Sequence, residues 1–316
     1  MKLDSEEAFL ELVDRYFPRK RRGEPGGRGD DCAVIPCGEK LCLSTDLFLE
    51  DVHFSRTYFS PRDIGYKSLA VNISDIAAMA AVPEGFLLNL LLVPDLPDAF
   101  WPEYFRGLAD LAREHDLYLA GGDLSRSSWL GMGITIWGSP GACVQRGGGL
   151  PGDLLFLVGE PGLSAAGLQI LGNGGDRDEF PDAVAAHLRP RLHVAQARRI
   201  ATCSGLRALM DVSDGLARDV PRLLGPGTGG ALRLEQEDLH PEVVACARWQ
   251  EISPVELAFR GGEEYALLGA IDPSCREELC ELVPEARIVG EIVRGEGISL
   301  NGDPVGIKGF DHMRGG

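Results

Sequence analysis

The sequence predicts an α+β protein built as two domains, and three observations carry that reading. Strand-like and helix-like stretches are mixed, without the regular alternation of a doubly wound sheet. Turn formers concentrate in "SPGACVQRGGGLPGD", residues 139–153, between two segments that each hold their own strands and helices. With 316 residues, 44% of them hydrophobic and 25% charged, the chain has material for two cores and an ordinary globular surface. The boundary falls in the turn-rich stretch, giving an N-terminal domain over 1–140 and a C-terminal domain over 141–316.

Each element follows from its pattern. Residues 5–17 carry apolar side chains at helical spacing and stop before Pro18. "RKRRGEPGGRGDD" is a basic, glycine-rich loop, and its four glycines between 23 and 29 leave backbone free to approach a ligand. "CAVIPC" and "KLCLSTDLFL" are strand candidates joined by "CGEK". Residues 62–81 read as a helix apolar over most of its circumference, hence buried, with Ser68, Asn72 and Asp75 along one polar stripe. "EGFLLNLLLVP" is a core strand and "DAFWPEYFRGLADLAREHD" an amphipathic helix. "LYLAGGDLSRS" reads as a strand emptying into a glycine turn, followed by the strand "WLGMGITIWGSP". In the second half "DLLFLVGEPGLSAAGLQILG" is a strand, a glycine turn and a helix. "ALMDVSDGLARDV" repeats that layout, with Ser213 or Asp214 as helix cap and a break at Pro221. "ELAFRGGEEYALLGAI" supplies a glycine-acid turn leading into a strand.

Composition narrows the function. The net charge of −17 and the lack of a basic stripe argue against nucleic acid as a partner. No apolar run reaches the length of a membrane span, and the opening residues, with five acids, have the character of neither a signal nor a transit peptide. The expectation is a cytoplasmic protein whose eight cysteines are reduced thiols, since no CxxC pair suggests a metal site. An acidic protein binds anions when divalent cations lie between them.

Five acidic stretches stand out: "GRGDD", "LSTD", "GGD", "MDVSD" and "GGEE", all at predicted strand ends or in glycine-rich loops. Asp75 on its helix makes a sixth site. Asp after Gly is ordinary turn chemistry, and Ser-Asp before a helix is an ordinary cap. Six together, with hydroxyls at Ser44, Thr45 and Ser213, suit Mg²⁺, which prefers carboxylates, water and phosphate oxygens. Arg146 and the "GGRG" loop offer direct phosphate contacts. No P-loop motif and no protein-kinase motif set is present, so these residues point to magnesium-dependent phosphate chemistry on a less common fold.

The stretches "GDDCAVI", "LSTDLFLEDVHF", "DIGYKSLAVNISDIAAMAA", "LAGGDLSRS", "DVSDGLARD", "RGGEEYALL" and "GFDHM" occur in the order of the thiamine-monophosphate kinase family. The chain resembles that family over nearly its whole length. The family shares a superfamily with aminoimidazole ribonucleotide synthetase, selenophosphate synthetase and the hydrogenase maturation protein HypE. The resemblance implies an aminoimidazole ribonucleotide synthetase-like fold of two α/β-type domains, a homodimer paired through N-terminal mixed sheets, and an active-site cleft completed by the C-terminal domain. It implies several Mg²⁺ ions on Asp30, Ser44, Thr45, Asp46, Asp75, Asp123, Asp211 and Asp214. ATP, the co-substrate, is expected at Tyr104, Gly122, Arg146 and Ser213, and thiamine monophosphate at His53, Glu263 and Phe310. The implied reaction passes the γ-phosphoryl group of ATP to thiamine monophosphate by direct in-line transfer, giving thiamine diphosphate without a general base.

Four departures from the family pattern bear on substrate choice: Asp51 and Ala80 stand where the family has glycine, Leu124 replaces a hydroxyl, and "GGEEYAL" replaces "GGEDYEL" at Glu264 and Ala266. Two alternatives stay open. A sister enzyme with another acceptor is disfavoured by the poor placement of Cys32 for selenophosphate synthesis, by the ending "HMRGG", and by the lack of "DGVGTK". A nucleotide-binding regulator without turnover is disfavoured by the complete set of acidic ligands.

Overall fold

The computed structural model describes residues 6–18, 35, 37–94, 96–139 and 141–306. Two compact units emerge, one of residues 1–76 and 82–140, the other of 77–81 and 141–316.

The first unit holds helix α1 (Glu6–Tyr16), strand β1 (Cys42–Leu49), helix α2 (Pro61–Ala78), strand β2 (Val82–Leu92), helix α3 (Phe100–Glu114) and strands β3 (Tyr118–Arg126) and β4 (Gly131–Ser139). The strands form one mixed sheet in the order β1-β4-β2-β3, parallel only between β2 and β3, which α3 connects. Alternation along β1 is clean: Leu43, Thr45 and Leu47 are exposed, while Ser44, Asp46 and Phe48 turn inward. The inward face continues into buried Ile134, Ile136, Phe86 and Leu88. Helix α2 is buried over most of its surface, as its all-round apolar pattern predicts. It meets α3 through reciprocal glycines: a Cβ on Gly65 would lie 2.0 Å from the Tyr104 carbonyl, and one on Gly107 1.9 Å from that of Arg62. Phe9 of α1 then packs edge-on against Trp101 and Phe105 of α3, with ring centroids 5.1 and 5.7 Å away.

The second unit runs β5 (Leu154–Val158), α4 (Leu163–Gly172), α5 (Pro181–Leu188), α6 (Val194–Ile200), β6 (Leu206–Val212), α7 (Leu216–Leu223), β7 (Thr228–Leu232), α8 (Pro241–Trp249), α9 (Pro254–Arg260), β8 (Ala266–Ile271), α10 (Arg276–Leu282), β9 (Arg287–Arg294), β10 (Ile298–Leu300) and β11 (Asp303–Val305). Its sheet has the order β11-β10-β7-β9-β5-β8-β6, antiparallel except between β7 and β10. The continuous apolar run of β5 has a simple cause. Leu155 and Leu157 enter one core with α7 and Phe259 of α9, while Phe156 and Val158 enter a second with Ile200 of α6 and Leu279 of α10. A strand buried on both faces cannot alternate.

Several local expectations change. "STD" and "GGD" lie inside paired strands rather than at strand ends, with Asp46 opposite Ile134 and Asp123 opposite Asn89. The glycines of "GGD" serve the sheet: β3 bulges beside Phe86 and Leu87, and Gly122 takes φ +148° where a Cβ would lie 1.8 Å from the Leu88 carbonyl. Helix α7 runs two residues past Pro221, and its cap position is Gly215, with no side-chain cap. "CAVIPC" falls almost wholly outside the described residues.

Asp51 and Ala80 both adopt left-handed backbone, φ 63° and 53°. The family's glycines at these positions therefore answer a conformational demand. At Ala80 the demand is the exit from α2, where its amide closes a turn onto the Ala77 carbonyl at 2.8 Å. Asp51 is exposed, so Asp51→Gly should raise stability by about 0.5–1 kcal/mol, read by urea unfolding. Ala80→Gly should come out near neutral, because relief of the backbone is offset by loss of a buried methyl worth about 0.8 kcal/mol. A destabilised Asp51→Gly would show that the carboxylate contributes more than its backbone costs.

Candidate active site

In the first unit the site grows from the pleat of β1. Ser44 and Asp46, two residues apart, share the face turned toward α2, and there the Ser44 hydroxyl donates to the Asp75 carboxylate. The carboxyl of Asp46 is pushed up to about 6, first by burial, then by the negative charge of Asp75 and a hydrogen bond shared with it. Thr45 points the other way, its hydroxyl donating to the Ile134 carbonyl at 3.1 Å and lying 3.1 Å from that of Thr135. Two half-buried acids and a serine hydroxyl on one face make an oxygen-only donor set, which fits a hard divalent cation.

His53 sits in the turn after β1. Its Nδ1 accepts the Leu49 amide at 3.1 Å, so the neutral ring carries its proton on Nε2, and the ring stacks on Phe48 at 5.9 Å. Glu50 is committed to Arg56, which grips both carboxylate oxygens. Tyr104 lies in the core with its hydroxyl 3.4 Å from that of Ser68, and burial holds the phenol well above its ordinary range. The structure thus brings Tyr104 to the α2–α3 packing layer and not to a surface a nucleotide reaches.

Asp123, beside Gly122, lies on β3 at the opposite sheet edge from Asp46. The register row Asp46, Ile134, Leu88, Gly122 spans the whole sheet. Three strand spacings separate the ends of that row, about 14 Å. A single ion therefore cannot join Asp46 to Asp123 within one chain.

In the second unit β6 delivers Asp211, buried, and then Ser213 and Asp214. The β6–β8 ladder continues past the strands: the amides of Tyr265 and Glu263 donate to the carbonyls of Val212 at 2.8 Å and Ser213 at 2.7 Å. Glu263 and Tyr265 pay for this close apposition with left-handed backbone, φ 62° and 51°. The Glu263 carboxylate lies 3.8 Å from Nδ1 of buried His187. Glu264, expected at the edge of a substrate site, instead accepts the amides of Ser164 and Ala165 in the first turn of α4, where the helix dipole favours a carboxylate. Ala266 is likewise buried in β8. Asp214 is paired with Arg222 at 2.6 Å, and Arg222 also holds buried Asp219 at 2.8 Å. Burial, then the charge of Asp214, raises the Asp219 carboxyl despite that partner. Sequence reasoning missed Asp219 and Arg222; their one signal was the i, i+3 spacing of opposite charges on α7. Arg146 lines a cleft of about 590 Å³ within this unit, together with Arg207, Gly147 and Cys203. Asp30 and Phe310 lie outside the described residues.

Comparison with known proteins agrees over the length of the chain. The family described as AIR synthase related protein, N-terminal domain, matches residues 29–139, and its C-terminal counterpart matches 151–303. Thiamine-monophosphate kinase of Synechococcus elongatus is 32% identical, covering 98% of this chain and 96% of that protein. Its Escherichia coli K12 counterpart is 34% identical over 96% and 97%. The solved structure of AaThiL complexed with AMPPCP and TMP superposes with a TM-score of 0.78 at 28% identity, covering 99% of both chains.

The Asp46 carboxyl sits above its unfolded value of 3.8, at about 6 in the fold, so the folded state loses stability as pH climbs through that interval and bears the whole penalty above it. Without divalent cations, Asp46→Asn should therefore raise unfolding free energy at pH 8 by about 1–2 kcal/mol, a figure already reduced for partial solvent screening. At pH 4 the gain should vanish. Chemical denaturation in chelator at the two pH values is the measurement, and an equal gain at both would remove repulsion from the account.

Proposed function

The chain belongs to the thiamine-monophosphate kinase family of AIR synthase related proteins, and from that premise we propose that it phosphorylates thiamine monophosphate at the expense of ATP, giving thiamine diphosphate. The carrying observation is kinship over almost the full length of both chains with enzymes named for this reaction.

The chemistry asks for what this chain displays. The nucleophile is a phosphate oxygen that is already anionic, so no side chain has to remove a proton. Two polyanions must instead be brought together in line without repelling each other. Mg²⁺, when bound, would supply that charge neutralisation across the transferring phosphoryl group. Asp46 and Asp75, with the Ser44 hydroxyl fixing the Asp75 carboxylate, are the residues we assign to hold one such ion; Asp30, Thr45, Asp123, Asp211 and Asp214 are assigned to further ions by the family resemblance alone. Gly122, Arg146 and Ser213 are assigned to the nucleotide. For Asp214 the role requires Arg222 to let go of the carboxylate or to bridge it to phosphate. His53 would donate from Nε2 to the substrate phosphate, and Glu263, backed by His187, would face the cationic thiazolium ring, with Phe310 beside it. Burial removes Tyr104 from direct nucleotide contact in this arrangement. We place the enzyme in the cytoplasm, where ATP is available; among the described residues no helix is long and apolar enough to cross a membrane.

A homodimer is part of the proposal. The outer sheet face of the first unit exposes Leu43 at 64% and Leu47 at 62%, on the edge strand β1, and carries Asp123 at the other edge. A second copy laid on this face would cover the leucines and bring Asp123 of one chain toward the outer, Thr45-bearing face of β1 of the next. Leu43→Lys with Leu47→Lys should then give a monomer by light scattering, with ADP release reduced at least tenfold. A monomeric wild-type protein with full activity would remove the dimer.

The reaction itself is tested by coupled ADP release with ATP, Mg²⁺ and thiamine monophosphate. Thiamine diphosphate should form, and Asp46→Asn should lower the rate by about 10²–10³-fold while the protein stays folded. Magnesium-dependent ATP binding without turnover of thiamine monophosphate would overturn the substrate assignment.

A further inference from the structure

Within the second unit, three side chains of a different chemistry converge. The Sγ atoms of Cys203 and Cys275 and a carboxylate oxygen of Glu278 all lie within 4.8 Å of one another. We propose that they form a binding site for a thiophilic divalent cation of the Zn²⁺ class, separate from the oxygen-only acids.

The site is held in place by contacts that involve no ion. Cys203 is buried in the turn from α6 into β6, its amide bonded to the Ile200 carbonyl at 2.9 Å and its carbonyl to the Leu206 amide at 3.2 Å. Cys275 ends the short 3-10 turn Pro273–Cys275, which Asp272 caps. Asp272 ties the two turns together, its amide donating to the Gly205 carbonyl at 2.9 Å and its carboxylate accepting from Arg207 at 2.9 Å. Gly205 is required by the packing, because a Cβ there would lie 2.5 Å from the Cys275 sulfur. Glu278 projects from the first turn of α10, and its Oε2 accepts the Cys203 thiol at 3.2 Å. Two sulfurs and one carboxylate therefore meet on turns that are already hydrogen-bonded to each other.

Soft thiolate donors select zinc-like ions and reject Mg²⁺. Three protein ligands leave a fourth position for water or an exogenous ligand. Glu278 is exposed, so the ion enters from solvent. The exchange balances without oxidation: one divalent cation binds and the two thiols release two protons. A bound ion fastens the start of β6, the strand that carries Asp211, to the start of α10.

The test uses reduced, chelator-stripped full-length protein under anaerobic conditions, titrated with Cd²⁺ and then with Zn²⁺ in competition. A thiolate-to-cadmium charge-transfer band should saturate at a single ion per chain and be bleached by Zn²⁺. Cys275 is half-exposed, so Cys275→Ser should fold, retain ADP release and lose the band. Glu278→Gln, which leaves both sulfurs in place, should keep the band but weaken the affinity for the ion. No band, or a band undiminished in Cys275→Ser, overturns the site; the latter would place the ion on other cysteines.

Discussion

The closeness of Asp46 to Asp75 is the constraint from which the rest of the N-terminal unit follows. A carboxylate whose proton affinity is raised by burial and by a second carboxylate beside it is unfavourable in a folded protein, and the surrounding sheet and helix must hold Asp46 and Asp75 together against that repulsion. The reciprocal glycines Gly65 and Gly107 fix α2 against α3, and the buried face of α2 leaves it no alternative seat. Position along β1 does the remainder, since a shift by one residue would exchange Ser44 and Asp46 for Leu43 and Thr45. The stability given up at this point is what would suit the pair to positive charge, as the proposed function requires.

The C-terminal unit solves a different problem by a related means. It extends a β-ladder beyond its regular strands, so that the segments 211–214 and 262–265 are bonded to each other through main chain. Side chains are then free for other tasks: Glu263 faces His187, Glu264 caps α4, and Arg222 binds two aspartates. The left-handed backbone of Glu263 and Tyr265 is tolerable because these bonds determine the loop twice over.

Much of this was legible beforehand, and the failures share a physical origin. Helix α2 and strands β1, β2, β4 and β5 follow from periodicity or continuous apolarity, which report burial directly. "GGD" misled because glycine signals a turn only on average; here Gly122 answers a close backbone approach inside a sheet, a long-range fact absent from the local pattern. Pro221 misled in the opposite sense, for a short helix near its end loses little by forgoing one bond. Glu264 and Tyr104 took structural positions because their partners, the first turn of α4 and the hydroxyl of Ser68, lie far away in sequence. The pairing of Cys203 with Cys275 was invisible for the same reason, since residues 72 apart present no CxxC spacing.

The net charge of −17 gains meaning beside this geometry. Acidic side chains spread over a surface keep a protein soluble; the same charges facing a nucleotide would repel it. A site of this kind therefore discriminates by charge state before it discriminates by shape. A free phosphate chain meets carboxylates alone, whereas a cation-loaded one meets ligands for its metal. The exposed remainder of the acidic surface reinforces that preference at long range, whereas a single cation such as Arg146, in its cleft of the second unit, acts only at contact distance. On the proposed function, selection of the metal complex over the bare nucleotide is thus distributed through the whole chain, while the identity of the acceptor is left to side chains that have a defined orientation of their own, as His53 has in the first unit and Glu263 in the second.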